Sequence, residues 1–295
     1  MKKVLITGAG GMLGKAAYEI LNEMYNVTAT DINLNEGWLK YLDVRVLSDF
    51  ERYFNEQEFD IIFHLAALTD LEYCEDNKEN SWLTNALGAE NAALMAKKYD
   101  IELVYISTAG IFDTPNQEVF NDYDCPSPKS IYGKSKYGGE KIVQLITPKH
   151  YIFRAGWMMG GGDKDKKFIS KILKQINNGT KELNVVGDKL GTPTYTYDFI
   201  DNMLGVINKG YYGLYNQVCK GDCSRYDVAV EMIKILELDI PVNLVNSDYF
   251  KDEYYAPRPY SEKLINLKLE ARGLNNMRHW KECLSEYLKN YCNNK

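Results

Sequence analysis

The chain has 295 residues, of which 26% are charged and 45% hydrophobic, and a formal net charge of −6. That length suits one large domain or two smaller ones with a substantial core. A mildly acidic chain without a dense basic stripe argues against a nucleic-acid partner, and no apolar run nears the ~20 residues of a membrane span.

Met1-Lys2-Lys3 before Val4-Leu5-Ile6 begins like a signal peptide, but Gly8-Ala9-Gly10-Gly11 ends the apolar run early. Residues 3–7 therefore read as a strand. A helix from Met12 to about Met24 puts Leu13, Ala16, Ala17, Ile20 and Leu21 on one side. Val27–Thr30 reads as a second strand, stopped by Asp31. Residues 49–57 read as a helix and 60–66 as a strand. Residues 79–98 read as one helix, with Leu83, Leu87, Ala92, Leu94 and Met95 recurring. Ile101–Ser107 is a strand, 132–146 a helix and Tyr151–Arg154 a further strand. Nearly all-apolar strands alternating with helices predict an α/β fold, a Rossmann-type doubly wound parallel sheet covered on both faces.

After about residue 156 the pattern loosens. Gly160–Lys167 is a loop of glycines and charges. Helices follow near 167–177, 196–209, 224–237 and 278–291. The expected organisation is a Rossmann domain over 1–156, to which part of 191–217 returns, and a smaller C-terminal α/β substrate lobe over 157–295.

Six cysteines are scattered, at 74, 125, 219, 223, 283 and 292, with no Cys-x-x-Cys pair and only three histidines. Reduced thiols in a cytoplasmic protein, and no metal site, are expected. His64, in the apolar run Ile61–Ala66, reads as a core or strand-end residue.

Gly8, Gly11 and Gly14 follow the first strand and open the first helix. Such a loop lets backbone approach a pyrophosphate, and the helix start with Met12 and Leu13 offers free N–H groups and the positive dipole end. Asp31, with Ile32 after it, ends the second strand about 20 residues on, where a carboxylate accepts from a ribose 2′-hydroxyl and repels a 2′-phosphate. No Arg or Lys lies inside the glycine loop. NAD(H) is thus favoured, NADP(H) is the alternative, and Lys15 softens the preference. Asp43-Val44 is placed to cap the adenine, and Ala66-Ala67-Leu68 to let the cofactor pass.

Tyr132 and Lys136 stand four apart at the start of a helix, on one face and one turn from each other. A phenol titrates near ~10, too high for neutral proton transfer. A neighbouring ammonium is expected to lower that value and make the pair a general acid or base.

These residues resemble the extended short-chain dehydrogenase/reductase family, and within it the dTDP-4-dehydrorhamnose reductase group. Eight segments carry the likeness over nearly the whole chain: the glycine loop, His64–Thr69, Thr84–Gly88, Ile106–Phe112, the Tyr132/Lys136 pair, Arg154–Trp157, Gly187–Thr194, and Arg258-Pro259 with Leu264 and Leu267–Leu269. The resemblance implies Thr108, Tyr132 and Lys136 as catalytic residues, and Asn85 among those binding the cofactor. It implies Thr69, Thr108, Trp157, Thr192 and Arg258 as substrate-binding, with Arg258 on a diphosphate. The group's Asp-Tyr after the catalytic Thr is Ala109-Gly110 here, and the loop Gly160–Lys167 is more basic than expected. The implied activity is NAD(P)H-dependent reduction of the 4-keto group of a nucleoside-diphosphate deoxysugar, and the reading leaves room for a homodimer. The alternatives are an epimerase or dehydratase of the same family, or a non-catalytic nucleotide-binding subunit.

Overall fold

The computed structural model describes residues 1–114 and 119–293. Seven strands form one sheet, ordered Gly213–Asn216, His150–Ala155, Glu102–Thr108, Ile61–His64, Lys3–Thr7, Asn26–Asp31 and Lys40–Tyr41. Every pairing in it is parallel. The doubly wound Rossmann-type sheet expected from the alternation of elements is therefore what forms. The chain starts mid-sheet, runs outward to Lys40–Tyr41, then returns to Ile61–His64 and runs out the other way. Where strand order reverses, loops diverge and leave a crevice at the carboxyl ends of the strands.

Both faces of the sheet are covered, so its strands are apolar throughout rather than alternating. On one face Ala16, Ala17 and Leu21 of the helix Met12–Met24 pack with Phe199, Ile200 and Met203 of the helix Thr196–Asn208. On the other, Phe50, Tyr53 and Phe54 of Leu47–Glu56 pack with Ala89, Ala92, Ala93 and Ala96 of Gly88–Lys98. The segment 196–216 supplies both a covering helix and an edge strand of this sheet.

The expected single helix over 79–98 is broken into three turns of different pitch. Lys78–Trp82 is α-helical, Leu83–Leu87 is a π-helical turn, and Gly88–Lys98 is α-helical again. Apolar periodicity does not report such an insertion, which shifts one residue out of phase and often serves a site.

The remaining chain builds a second core from the helices Phe168–Asn177, Arg225–Ile235 and Trp280–Asn293. A four-stranded sheet runs along it in the order Cys223–Ser224, Leu190–Gly191, Ser261–Leu264 and Val119–Phe120. Two short parallel pairs complete it, Trp157–Met159 with Pro193–Tyr195 and Leu183–Val186 with Val242–Val245. Val119–Phe120 belongs to the first half of the chain, so the two halves exchange a strand.

Among the described residues, no helix is long and apolar enough to cross a membrane, and no group of three or more His, Cys, Asp or Glu side chains is placed to hold a metal ion. Cys74, Cys125, Cys219, Cys223 and Cys283 are free thiols; the side chain of Cys292 lies outside the described residues. His64 is buried, with Nδ1 2.9 Å from the Thr7 hydroxyl.

Candidate active site

The first strand delivers the glycine loop to the crevice. Gly8 takes φ +73°, and a Cβ there would meet the Ala66 backbone at 2.5 Å. At Gly14 a Cβ would meet the Gly8 carbonyl oxygen at 2.3 Å. These two glycines hold the loop closed on the neighbouring strand end and on the helix. Gly11 differs: a Cβ there would touch only the Gly8 oxygen at 3.5 Å, so its smallness serves approach from outside. Gly11 caps the helix without a side-chain hydrogen bond, and the first turn carries no acidic side chain. The N–H groups of that turn remain for an anion. These residues fit a dinucleotide pyrophosphate.

Asp31 is fixed beside the loop. Its Oδ2 accepts from the Gly10 N–H at 3.1 Å and its Oδ1 from the Asn33 N–H at 2.9 Å. Ile32 is exposed next to it. Lys15 lies 3.9 Å from Glu19, one turn along its own helix.

Four of the expected ligand contacts are taken up inside the protein. The Asp43 carboxylate accepts from Arg45 Nη2 at 2.6 Å and from Arg45 Nε at 2.9 Å; these bonds hold its pKa below the ordinary carboxylate value against its partial burial. Val44 is buried, and a Cβ at Gly88 would lie 2.8 Å from its Cγ2, so neither side chain is open to an adenine. Asn85, fully buried in the π-helical turn, accepts from the Leu68 N–H at 2.8 Å and donates to the Leu68 carbonyl and the Ser135 hydroxyl, each at 3.0 Å. It ties the Ala66–Leu68 loop to the helix of Tyr132. Thr192 is also buried; its hydroxyl accepts from the Leu264 N–H at 3.3 Å and its carbonyl from the Trp157 N–H at 2.9 Å. A sequence motif gives spacing, not partners, and each of these polar side chains found a partner before any ligand.

The helix Ile131–Ile146 carries the Tyr–Lys pair. Ser130 caps it, its hydroxyl accepting from the Gly133 N–H at 3.1 Å. Glu75 accepts from the Ile131 N–H at 2.7 Å. Deeper in, Glu140 makes a buried two-bond pair with Arg154 at 2.9 and 3.0 Å, which locks the helix to the strand His150–Ala155. Breaking one partner of such a pair costs about 3–5 kcal/mol.

Thr108 ends its strand beside this helix, 8% exposed, its hydroxyl accepting from the Gly110 N–H at 3.1 Å. Lys136 is 3% exposed, and its Nζ stands 4.2 Å from the centre of the Tyr105 ring. Burial lowers the Lys136 pKa to about 7. The phenol of Tyr132 goes the other way, pushed up to about 12 by burial, with hydrogen bonding to Thr108 opposing that and the Glu262 carboxylate adding to it. The expected depression of Tyr132 by Lys136 does not occur: burial outweighs every charge on the phenol, and the ammonium faces Tyr105. Tyr132 therefore stays protonated across the neutral range.

Trp157 donates its indole N–H to Glu262 Oε2 at 2.7 Å. The Arg225 guanidinium lies 4.0 Å from the Trp157 ring centre and 5.0 Å from that of Phe168, and burial lowers its pKa to about 10. Gly191 admits the indole, since a Cβ there would lie 2.2 Å from it. Thr69 accepts from Lys167 Nζ through its hydroxyl at 2.9 Å and its carbonyl at 3.0 Å. Arg258 is engaged with Glu72, 2.8 Å from one oxygen and 3.0 Å from the other. Glu262, Arg225 and Glu72 were not singled out from the sequence, and Lys167 only as the end of the basic loop Gly160–Lys167. None stands in a motif, and only the neighbouring Arg258-Pro259 pointed towards Glu262.

The model of the RmlD substrate binding domain family matches residues 1–293, and the chain belongs to that family. It is 31% identical over 289 residues to the spore coat polysaccharide biosynthesis protein SpsK of Bacillus subtilis, with 98% of each chain covered. Among solved structures, a dTDP-4-dehydrorhamnose reductase of Clostridium acetobutylicum is 34% identical, with a TM-score of 0.89 over 97% of this chain and 98% of that one. A dTDP-4-dehydrorhamnose reductase of Bacillus anthracis, in complex with NADP, is 30% identical, with a TM-score of 0.90 over 98% and 99%.

Proposed function

We propose that this protein reduces the 4-keto group of a nucleoside-diphosphate deoxysugar, as a dTDP-4-dehydrorhamnose reductase does, using a reduced nicotinamide dinucleotide. The observation that carries this reading is the grouping of Thr108, protonated Tyr132 and buried Lys136 at strand and helix ends beside a glycine loop fit for pyrophosphate.

Gly8, Gly11, Met12, Leu13, Gly14, Asp31 and Ile32 would hold the cofactor, which supplies the hydride when bound. Tyr132 donates its proton to the oxygen of the keto group, and Thr108 hydrogen-bonds the same oxygen. Both act where negative charge develops only in the transition state, so they speed the step as well as bind. Lys136, in its protonated form, would hold the nicotinamide ribose of that cofactor. Trp157 walls the sugar, Thr69 borders it, and Arg225 and Arg258 face the diphosphate. Residues 1–156 with the returning segment form the cofactor half, and 157–295 the substrate half. Asp31 favours NADH over NADPH, although the Bacillus anthracis relative is in complex with NADP. A cytoplasmic location and a homodimer belong to the same reading.

The test is a panel of nucleoside-diphosphate 4-keto sugars with added NADH or NADPH, read as cofactor oxidation. Stoichiometric oxidation with at least one sugar is expected. Conversion without added cofactor indicates an epimerase, and no conversion at all indicates a nucleotide-binding subunit.

A further inference from the structure

Where the resemblance leads to an Asp-Tyr pair, this chain has Ala109-Gly110, and the missing side chains leave room beside the reacting groups. The structure fills that room from a distant part of the chain. Glu262, on the strand Ser261–Leu264, extends its carboxylate to the turn after Thr108. A Cβ on Gly110 would stand 3.3 Å from Glu262 Oε1, 3.5 Å from Thr108 Oγ1 and 3.7 Å from Tyr132 Cε1. The carboxylate is thus a close neighbour of both groups assigned to the keto oxygen, and its charge is felt by the phenol.

The two oxygens of Glu262 have different roles. Oε2 accepts from the Trp157 indole N–H at 2.7 Å, which fixes the carboxylate in place. Oε1, the atom nearest Gly110, has no hydrogen-bond partner among the described residues. An oriented carboxylate oxygen beside a site for a sugar calls for a donor from the ligand, since desolvation without one is costly.

Resting on the reduction reading above, we propose that Glu262 is a specificity-determining residue whose Oε1 accepts a hydrogen bond from the sugar hydroxyl next to the keto carbon. The chemistry selects that hydroxyl. With the C4 oxygen at Tyr132 and Thr108, the flanking carbons are C3 and C5. C5 carries the ring oxygen and a methyl group in a 6-deoxysugar and has no donor. C3 carries a hydroxyl. Among the 4-keto-6-deoxysugars of the reading above, Glu262 therefore selects those with a free 3-hydroxyl.

The experiment crosses two changes. Glu262→Gln keeps an amide oxygen for the Trp157 indole and removes the charge. Each enzyme is assayed on a dTDP-4-keto-6-deoxysugar and on its 3-deoxy analogue, with cofactor affinity and thermal melting as controls. On the hydroxylated sugar the variant should lose about 10- to 100-fold in kcat/KM, the scale of a hydrogen bond to a charged group. The parent should lose a similar factor on the 3-deoxy sugar, and the variant should lose little more. Cofactor affinity and melting should match the parent. An equal loss on both sugars would reduce Glu262 to a support for Trp157, and no loss on either would leave it without a role in the site; both results overturn the proposal. A parent that reduces neither sugar overturns the reduction reading and this proposal together, whereas an active parent with an indifferent variant overturns the proposal alone.

Discussion

Gly133 packs directly on the carbonyl of Gly110: a Cβ at 133 would lie 2.4 Å from that oxygen and 3.1 Å from Cβ of Pro128. The helix that carries Tyr132 is thereby pressed against the turn that follows Thr108. Two groups from distant parts of the chain come to bear on one point because a side chain is missing between them. Gly133→Ala should push the helix away, lowering stability by the ~1–3 kcal/mol typical of overpacking. A shift of about 1 Å between reacting groups costs ~10²-fold in rate. Turnover should therefore fall far more than cofactor affinity, and calorimetry beside steady-state kinetics checks both.

Lys136 ties function to stability. Its ammonium is lowered to about 7 by burial, against 10.5 for an ordinary lysine. Between those values the unfolded chain holds a proton that the folded chain has given up, so this residue makes stability rise with pH from about 7 to about 10.5. Lys136→Met should remove that slope and raise Tm near pH 7, by about 2–4 °C for each kcal/mol recovered in a chain of this size, while reduction fails. Melting curves from pH 6 to 9 test the slope. In the parent, the rate of reduction should decline as pH passes upward through about 7 and the ammonium is lost. In Lys136→Arg, which stays charged, that decline should disappear.

Asp31 is held by the Gly10 and Asn33 N–H groups and presents its charge at the end of the second strand. Asp31→Ala should raise the ratio of kcat/KM for NADPH over NADH by about tenfold or more, on the scale of one like-charge contact, ~1–4 kcal/mol. An unchanged ratio would mean that the carboxylate does not meet the ribose.

The paired contact of Arg258 with Glu72 sets two roles against each other. If Arg258 reads the diphosphate, Arg258→Lys should raise KM for the sugar nucleotide by about tenfold, since an ammonium lacks the forked contact. Glu72→Gln should leave that affinity level or improve it. If the pair only holds the loop around residue 258 to the helix Leu71–Asp76, both variants should weaken binding alike. Titration calorimetry with the free nucleoside diphosphate separates the two.

The parts of this protein legible in its sequence are those set by local order. Gly8, Gly11 and Gly14 follow a strand and open a helix, and Tyr132 and Lys136 stand one turn apart after a capping serine. Neighbours along the chain fix what such motifs do. Partners from elsewhere were not legible. Nothing near Asn85 announces the π-helical turn that aims its amide at Leu68 and Ser135. Arg45 is only two residues from Asp43, but spacing alone does not say that its guanidinium turns back onto that carboxylate. Glu262 stands in an unremarkable stretch and gains meaning only from the register that sets its strand beside Gly191 and its carboxylate beside Gly110. The phenol of Tyr132 departs from expectation for the same reason: spacing brings Lys136 near, but burial, which spacing does not report, decides the proton.

The most direct test is the single-turnover rate of reduction by Tyr132→Phe, with cofactor and sugar nucleotide both saturating. The substitution removes one oxygen from a half-buried side chain and should leave folding and both binding constants as in the parent. A fall of about 10²–10⁴-fold, the contribution of a general acid, is the predicted result. A rate near that of the parent would contradict the assignment of Tyr132 as the proton donor, and with it the mechanism built on this site.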